Sequence, residues 1–373
     1  MAAPTLKGGL PLFRFRGIRV FVHWTFLILP AWIAFGGYTD GKDVSTILAH
    51  IGLVLIIFMC VVLHEFGHAL TAQRFGIGTW DITLLPIGGV ASLERMPEDP
   101  KQEFLITVAG PLVNLVIAGI GFLVLAATGV SMLFSGTMLN AASWTSVIMF
   151  VVGSNLVLFF FNLIPAFPMD GGRILRSLLS MKMPREKATT IAAGLGRIIA
   201  IGFVIYGFYD SQPFVALIGV FIFFAAGAEA RNVRQQSLLR GIRVGDVMRT
   251  RFWNVPSHST VQQALDDLLA GGDRVLVVLE NGLYKGVLHR DDLMKAVSEG
   301  RSNAALSELD LKQPPTVTPA DGAHASHQQM TLGSHPILPV MEDGSLIGIL
   351  EPENLAEFIQ LKQARSEAAG PRK

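Results

Sequence analysis

Residues 46–72 read TILAHIGLVLIIFMCVVLHEFGHALTA, an apolar run that closes on His64-Glu65-Phe66-Gly67-His68. A run of that length suffices to cross roughly 30 Å of bilayer hydrocarbon as a helix, which satisfies its own backbone there. On a helix, positions i and i+4 share a face. His64 and His68 can therefore hold one metal ion, with Glu65 in reach of a water beside it. Each ionisable group in a hydrophobic helix costs roughly 2.5–3.5 kcal/mol on insertion scales. A bound cation shared with a carboxylate compensates for that cost. The competing reading is a pair of interfacial histidines solvated by headgroups.

A catalytic zinc takes three protein ligands and keeps one position open. The third ligand should lie near the end of another span at matching depth. Asn162-Leu-Ile-Pro-Ala-Phe-Pro-Met-Asp170-Gly171-Gly172 supplies Asp170. Pro165 and Pro168 break the helix, and broken backbone at membrane depth is tolerated inside protein or along a wet cavity. Alone, Asp170-Gly171 reads equally well as a turn; shared depth with the histidines favours a ligand. The expected centre is one Zn²⁺ on His64, His68 and Asp170. Glu65 is its general base, taking a proton from water and returning it to the leaving amine.

Outward from this run, apolar segments lie near 18–37, 46–72, 104–128, 144–166, 194–209 and 213–231, and predict a six-helix α-helical membrane domain over 18–235. The chain is 51 % hydrophobic and 16 % charged, with mean hydropathy +0.48. Charged residues make up about a quarter of a typical soluble protein. Arg and Lys gather before the first segment, between the second and third (Arg74, Arg95, Lys101), between the fourth and fifth (Arg173, Arg176, Lys182, Arg185, Lys187) and after the sixth (Arg231, Arg234). The alternate loops hold only Lys42. Positive-inside bias puts both termini in the cytoplasm of a multi-pass inner-membrane protein, with residues 1–17 a cytoplasmic lead. Lys7, Arg14, Arg16 and Arg19 resemble the start of a signal peptide. The following run is long enough to span and lacks a small-residue cleavage site, so it reads as a retained helix. The net charge of +1 gives no field to recruit nucleic acid, and the lone Cys60 gives no disulfide.

Composition changes after Arg231. A shift of 62 residues aligns Val255 with Val317, Val278 with Val340, Gly286 with Gly348 and Leu293 with Leu355. Each copy, 243–298 and 305–361, reads as α/β with a tight turn, Asn281-Gly282 or Asp343-Gly344. The two copies should bury the faces each would otherwise expose. Residues 362–373 are polar and read as a disordered tail.

Residues 15–235 resemble the site-2 protease family of intramembrane metalloproteases, on His64-Glu65-Phe66-Gly67-His68, Ala109-Gly110-Pro111-Leu112-Val113-Asn114 and Asn162 through Gly172. The repeats look like a pair of cystathionine-β-synthase (CBS) domains. The resemblance implies zinc on His64, His68 and Asp170, catalysis by Glu65, and cleavage of transmembrane segments of substrate proteins in regulated intramembrane proteolysis, anti-sigma factors or tethered regulators among them. It also implies partners: a membrane-protein substrate, the lipid bilayer and a homodimer through the CBS copies. An adenine nucleotide is a further expectation there, with Asp292 holding its ribose; His289, Glu351 and Asn354 depart from the usual pattern.

Asn114 and Asn162 could contact substrate backbone or stabilise an oxyanion, or serve as glue between helices. Gly88 and Gly89, in Leu84–Ser92, suit a hairpin whose edge could clamp an extended substrate, or a loop packed on the bundle. Cys60 reads as a packing residue. Glu229 is the alternative third ligand, and a CBS-regulated transporter or channel is the alternative to a protease.

Overall fold

The computed structural model describes residues 9–86, 88–94, 97, 99–128, 143–270, 275–333 and 335–368, and divides the chain into two compact units, Met1–Val233 and Arg234–Lys373. Arg95, most of loop 129–143 and the last five residues of the expected tail lie outside the described residues.

The first unit opens with β1 (Gly9–Phe15) and β2 (Ile18–His23), then a 3-10 turn (Trp24–Leu27) leading into α1 (Ile28–Thr39). α2 (Val44–Arg74) follows, capped by Asp43, whose carboxylate accepts from the Thr46 amide. Next come β3 (Thr79–Leu85), β4 (Gly88–Leu93), α3 (Pro100–Ala127), α4 (Trp144–Leu163), α5 (Asp170–Ser180), α6 (Arg185–Tyr209) and α7 (Pro213–Leu238). Among the described residues α2, α3, α4, α6 and α7 are long and apolar enough to cross a membrane.

The expected first span, 18–37, is corrected: it opens as strand Ile18–His23, passes through the 3-10 turn and is α-helical only from Ile28. Ile18 and Val20 alternate with Arg19 and Phe21, so one side is fully buried while Arg19 reaches Asp81 at 4.0 Å. That period of two suits a strand. β2 pairs parallel with β3 and antiparallel with β1, giving the sheet order β1-β2-β3-β4. The remaining helix, α1, is about 18 Å long by its rise per residue. Continuity is kept because the sheet runs alongside α2. Ile18, Val20, Ile82 and Leu84 pack on Phe58, Val62, Phe66 and Ala69, one face of α2. Phe26, just after β2, meets Phe58 with ring centroids 4.6 Å apart. Strand and short helix thus cover successive stretches of α2.

The second unit contains the repeat. α8 (Val244–Val247), β5 (Asn254–Pro256), α9 (Val261–Leu269), β6 (Val275–Glu280), β7 (Leu283–His289) and α10 (Arg290–Ser298) precede α11 (Ala323–Gly333), β8 (Leu338–Glu342), β9 (Ser345–Leu350) and α12 (Pro352–Ala368). Val255 pairs with Val278 and Val317 with Val340; Gly286 and Gly348 then face those same two valines. Asn281-Gly282 and Asp343-Gly344 all have positive φ, as two-residue hairpin turns require. Val275, Val277 and Val287 of one copy cluster with Ile337 and Ile349 of the other. α12 runs to Ala368, so the expected disordered tail is corrected: its first seven residues are helical.

Candidate metal centre

His64 and His68 lie late in α2, on the side facing α3. Gly110 is what lets α3 pass: a Cβ there would strike both imidazole Nε2 atoms. Gly67 does the same in reverse, since its Cβ would stand 2.7 Å from the Ala109 carbonyl oxygen. Two glycines therefore bring α2 and α3 to backbone distance. His68 Nδ1 lies 2.8 Å from the Ile106 carbonyl oxygen, and His64 Nδ1 lies 2.5 Å from Asn114 Oδ1.

Asp170 is the first residue of α5. The chain turns back after α4 through Ile164–Met169, and Gly171 and Gly172 make the return possible. Their Cβ atoms would collide with the backbone of Leu163, Ile164, Ala166 and Phe167. α5 is then anchored by Arg176, 1 % exposed, which donates to Glu103 of α3 and, at 2.5 Å, to Glu229 of α7. Arg185 of α6 joins Glu103 at 3.1 Å. Glu229 is thus held by Arg176 rather than among the His64–His68 donors.

The arrangement sets where the protons sit. A carbonyl oxygen only accepts, so Val151 O, 2.8 Å from Asn155 Nδ2, turns the Asn155 oxygen toward Asn114. Asn114 Nδ2 donates to it at 2.8 Å, which turns Asn114 Oδ1 to His64 Nδ1. His64 Nδ1 must then carry its proton, and Ile106 O imposes the same on His68. In the neutral rings Nε2 is then the nitrogen that keeps a lone pair. The two Nε2 atoms stand 3.1 Å apart, and Asp170 Oδ2 lies 3.2 Å from each. Three acceptors converge on one point, and a cation there satisfies all three. An ion about 2.0–2.1 Å from each, with tetrahedral angles, places the donors about 3.3 Å apart. Among the described residues His64, His68 and Asp170 form the only group of this kind.

Glu65 is half-buried and lies against β4. A Cβ on Gly89 would come within 2.7 Å of its Cγ. Gly88, with φ +138°, starts that strand in a conformation open to glycine. Asn114 is 0 % exposed and its Oδ1 faces His64 Nδ1. Asn162 is half-buried and is the penultimate residue of α4. Cys60 accepts from Asn155 Nδ2 at 3.3 Å. Asp292, in the second unit, caps α10 and pairs with Lys312 at 2.8 Å. Asn155 was missed by sequence reasoning. Its signal was the one that flagged Asn114 and Asn162, a fully polar amide in an apolar helix.

Residues 52–137 and 126–203 match the family model Peptidase family M50, and 244–299 match that of the CBS domain. YwhC of Bacillus subtilis, which carries the name of a zinc metalloprotease, is 33 % identical over 154 residues, 34 % of this chain and 68 % of that protein. The chain belongs to peptidase family M50. A zinc metalloprotease of Methanocaldococcus jannaschii is 29 % identical over 362 residues, 95 % of this chain and 97 % of its own. The solved site-2 protease from the same organism is 34 % identical and covers 60 % of this chain and 95 % of its own, with a TM-score of 0.44. This M50 protein is an intramembrane zinc metalloprotease bearing a CBS unit, and its family acts on membrane-embedded substrates. Family membership favours that reading over a transporter.

Proposed function

We propose that His64, His68 and Asp170 hold the zinc of this M50 protease and that Glu65 is its general base. The observation that carries the assignment is the convergence of the two Nε2 atoms and a carboxylate oxygen within 3.2 Å of one another. Zinc, when bound, supplies Lewis acidity to the scissile carbonyl and to the attacking water. Glu65 takes the proton of that water and passes it to the departing amine. Asn155, through Asn114, keeps the His64 ring turned and its Nε2 lone pair free.

A transmembrane substrate hides its amides in a helix, so it must be unwound before hydrolysis. β4 supports this step, because it is an edge strand and its Gly89 lies against Glu65. An extended substrate adding to that edge gains backbone hydrogen bonds in place of those it loses. Asn162, near the mouth of the α4–α5 turn, remains our candidate for a substrate or oxyanion contact, whereas Asn114 belongs to the histidine.

The test is a chelator titration of the purified full chain with metal analysis. Wild type should hold about one zinc per chain and lose reporter cleavage when it is stripped, with recovery on adding zinc. Asn155→Leu should shed zinc at about 10–100-fold lower chelator concentration, the effect of losing an outer hydrogen-bond partner. Cleavage that survives complete removal of metal overturns the assignment.

At the CBS unit, we propose a docking role between two copies rather than nucleotide sensing. Burial alone would raise the Asp292 pKa, but the Lys312 ammonium and the His289 amide lower it, so it is an anion already paired. An adenine nucleotide would have to displace Lys312. AMP added to the full chain should leave its thermal unfolding unchanged; a saturable rise in Tm reinstates the nucleotide.

A further inference from the structure

α6 and α7 form an antiparallel pair locked by small residues. Gly207 meets Ala216 near the 210–212 turn, Gly219 meets Ala200 and Val204, and Gly227 meets a side chain instead of backbone. That side chain is Arg197. A Cβ on Gly227 would stand 2.5 Å from Arg197 Nη2 and 3.3 Å from Arg231 Nη1. Two guanidinium groups, one from each helix, therefore converge on a single point. Arg197 lies inside α6, a membrane-crossing helix, with its guanidinium carbon 5.4 Å from the Phe223 ring centroid. Its Nε is buried and has no hydrogen-bond partner.

Among the described residues no carboxylate pairs with either arginine, and Glu229, two residues before Arg231, is taken by Arg176. An arginine in a membrane helix is costly and is ordinarily paired or reaches the interface. Arg197 is half-buried and Arg231 exposed, and two converging cations repel each other unless an anion lies between them. The planar guanidinium fork matches phosphate oxygens, and basic notches between membrane helices take lipid headgroups.

We propose that the Arg197–Arg231 notch beside Gly227 binds a phosphate group, carried by an anionic phospholipid or free in solution. The site is separate from the metal donors and does not depend on their assignment.

The test is native mass spectrometry of the delipidated full chain titrated with phosphatidylglycerol, phosphatidylcholine or inorganic phosphate. Wild type should bind one phosphatidylglycerol in preference to phosphatidylcholine. Arg231→Gln should weaken it about fivefold, and Arg197→Gln with Arg231→Gln about 25-fold, one charge at a time. Zinc content, read in parallel, reports folding. Should Arg197→Gln fail to fold, Gly227→Ala fills the notch and should also weaken binding. Competition by inorganic phosphate at lower concentration than the lipid assigns the site to free phosphate; resistance to it assigns the headgroup. Equal phosphatidylglycerol binding by wild type and both folded variants, with no phosphate bound, overturns the proposal.

Discussion

Glu65→Gln abolishes cleavage of a membrane-embedded reporter, lowering kcat by about 10²–10⁴-fold, while zinc content stays at the wild-type level. Glutamine keeps the shape and the hydrogen-bonding reach of glutamate but does not accept a proton. Glu65 is not one of the three converging donors, so its loss leaves them intact. Gly89→Val should reproduce part of this defect by another route. Its side chain would press on Glu65 Cγ, where even a Cβ comes within 2.7 Å, and a displacement near 1 Å can cost about 10²-fold. Reporter cleavage in proteoliposomes, paired with metal analysis of the same sample, reads both. Wild-type turnover in Glu65→Gln removes the general-base role, whatever the metal content.

Asp170→Ala should strip the metal. It removes one of the three donors, and the loss in zinc affinity should exceed the roughly 10–100-fold typical of an outer partner. Glu229→Ala is the control. It leaves Arg176 with Glu103 alone and loosens α7, but the donors are untouched and zinc should remain. Competition against a fluorescent zinc chelator ranks the two variants directly. If Glu229→Ala empties the site and Asp170→Ala does not, the ligand set is wrong.

The cluster of His64, His68 and Asp170 was legible because membrane depth is a strong filter. A helix of apolar residues tolerates few ionisable groups, so His64, Glu65 and His68 stood out, and depth then pointed to Asp170. The repeat was equally plain, because Val255, Val278, Gly286 and Leu293 recur at one spacing and occupy matching positions. The first segment misled for a physical reason. Ile18, Val20 and Val22 satisfy a hydropathy window as well as a strand period, and the partner that decides between them, β3, lies far along the chain. Side-chain direction was also out of reach. Asn114 sits in a site motif, yet which of its neighbours it touches depends on the α2–α3 crossing at Gly67 and Gly110. Asn155 drew no notice because its role exists only through Asn114.

The parallel pairing of β2 with β3 bears on how the protein is made. Parallel neighbours need a crossover, and here that crossover is α1 and α2. On a ribosome, β2 emerges before both, and its partner strand only after them. Strand β2 must therefore wait, paired with β1 on one edge only, until α2 has been inserted and the chain has returned. Order of synthesis and order of assembly differ at this point. A truncated nascent chain that stops at Arg74 has the imidazole pair but no strand to seat its own beginning.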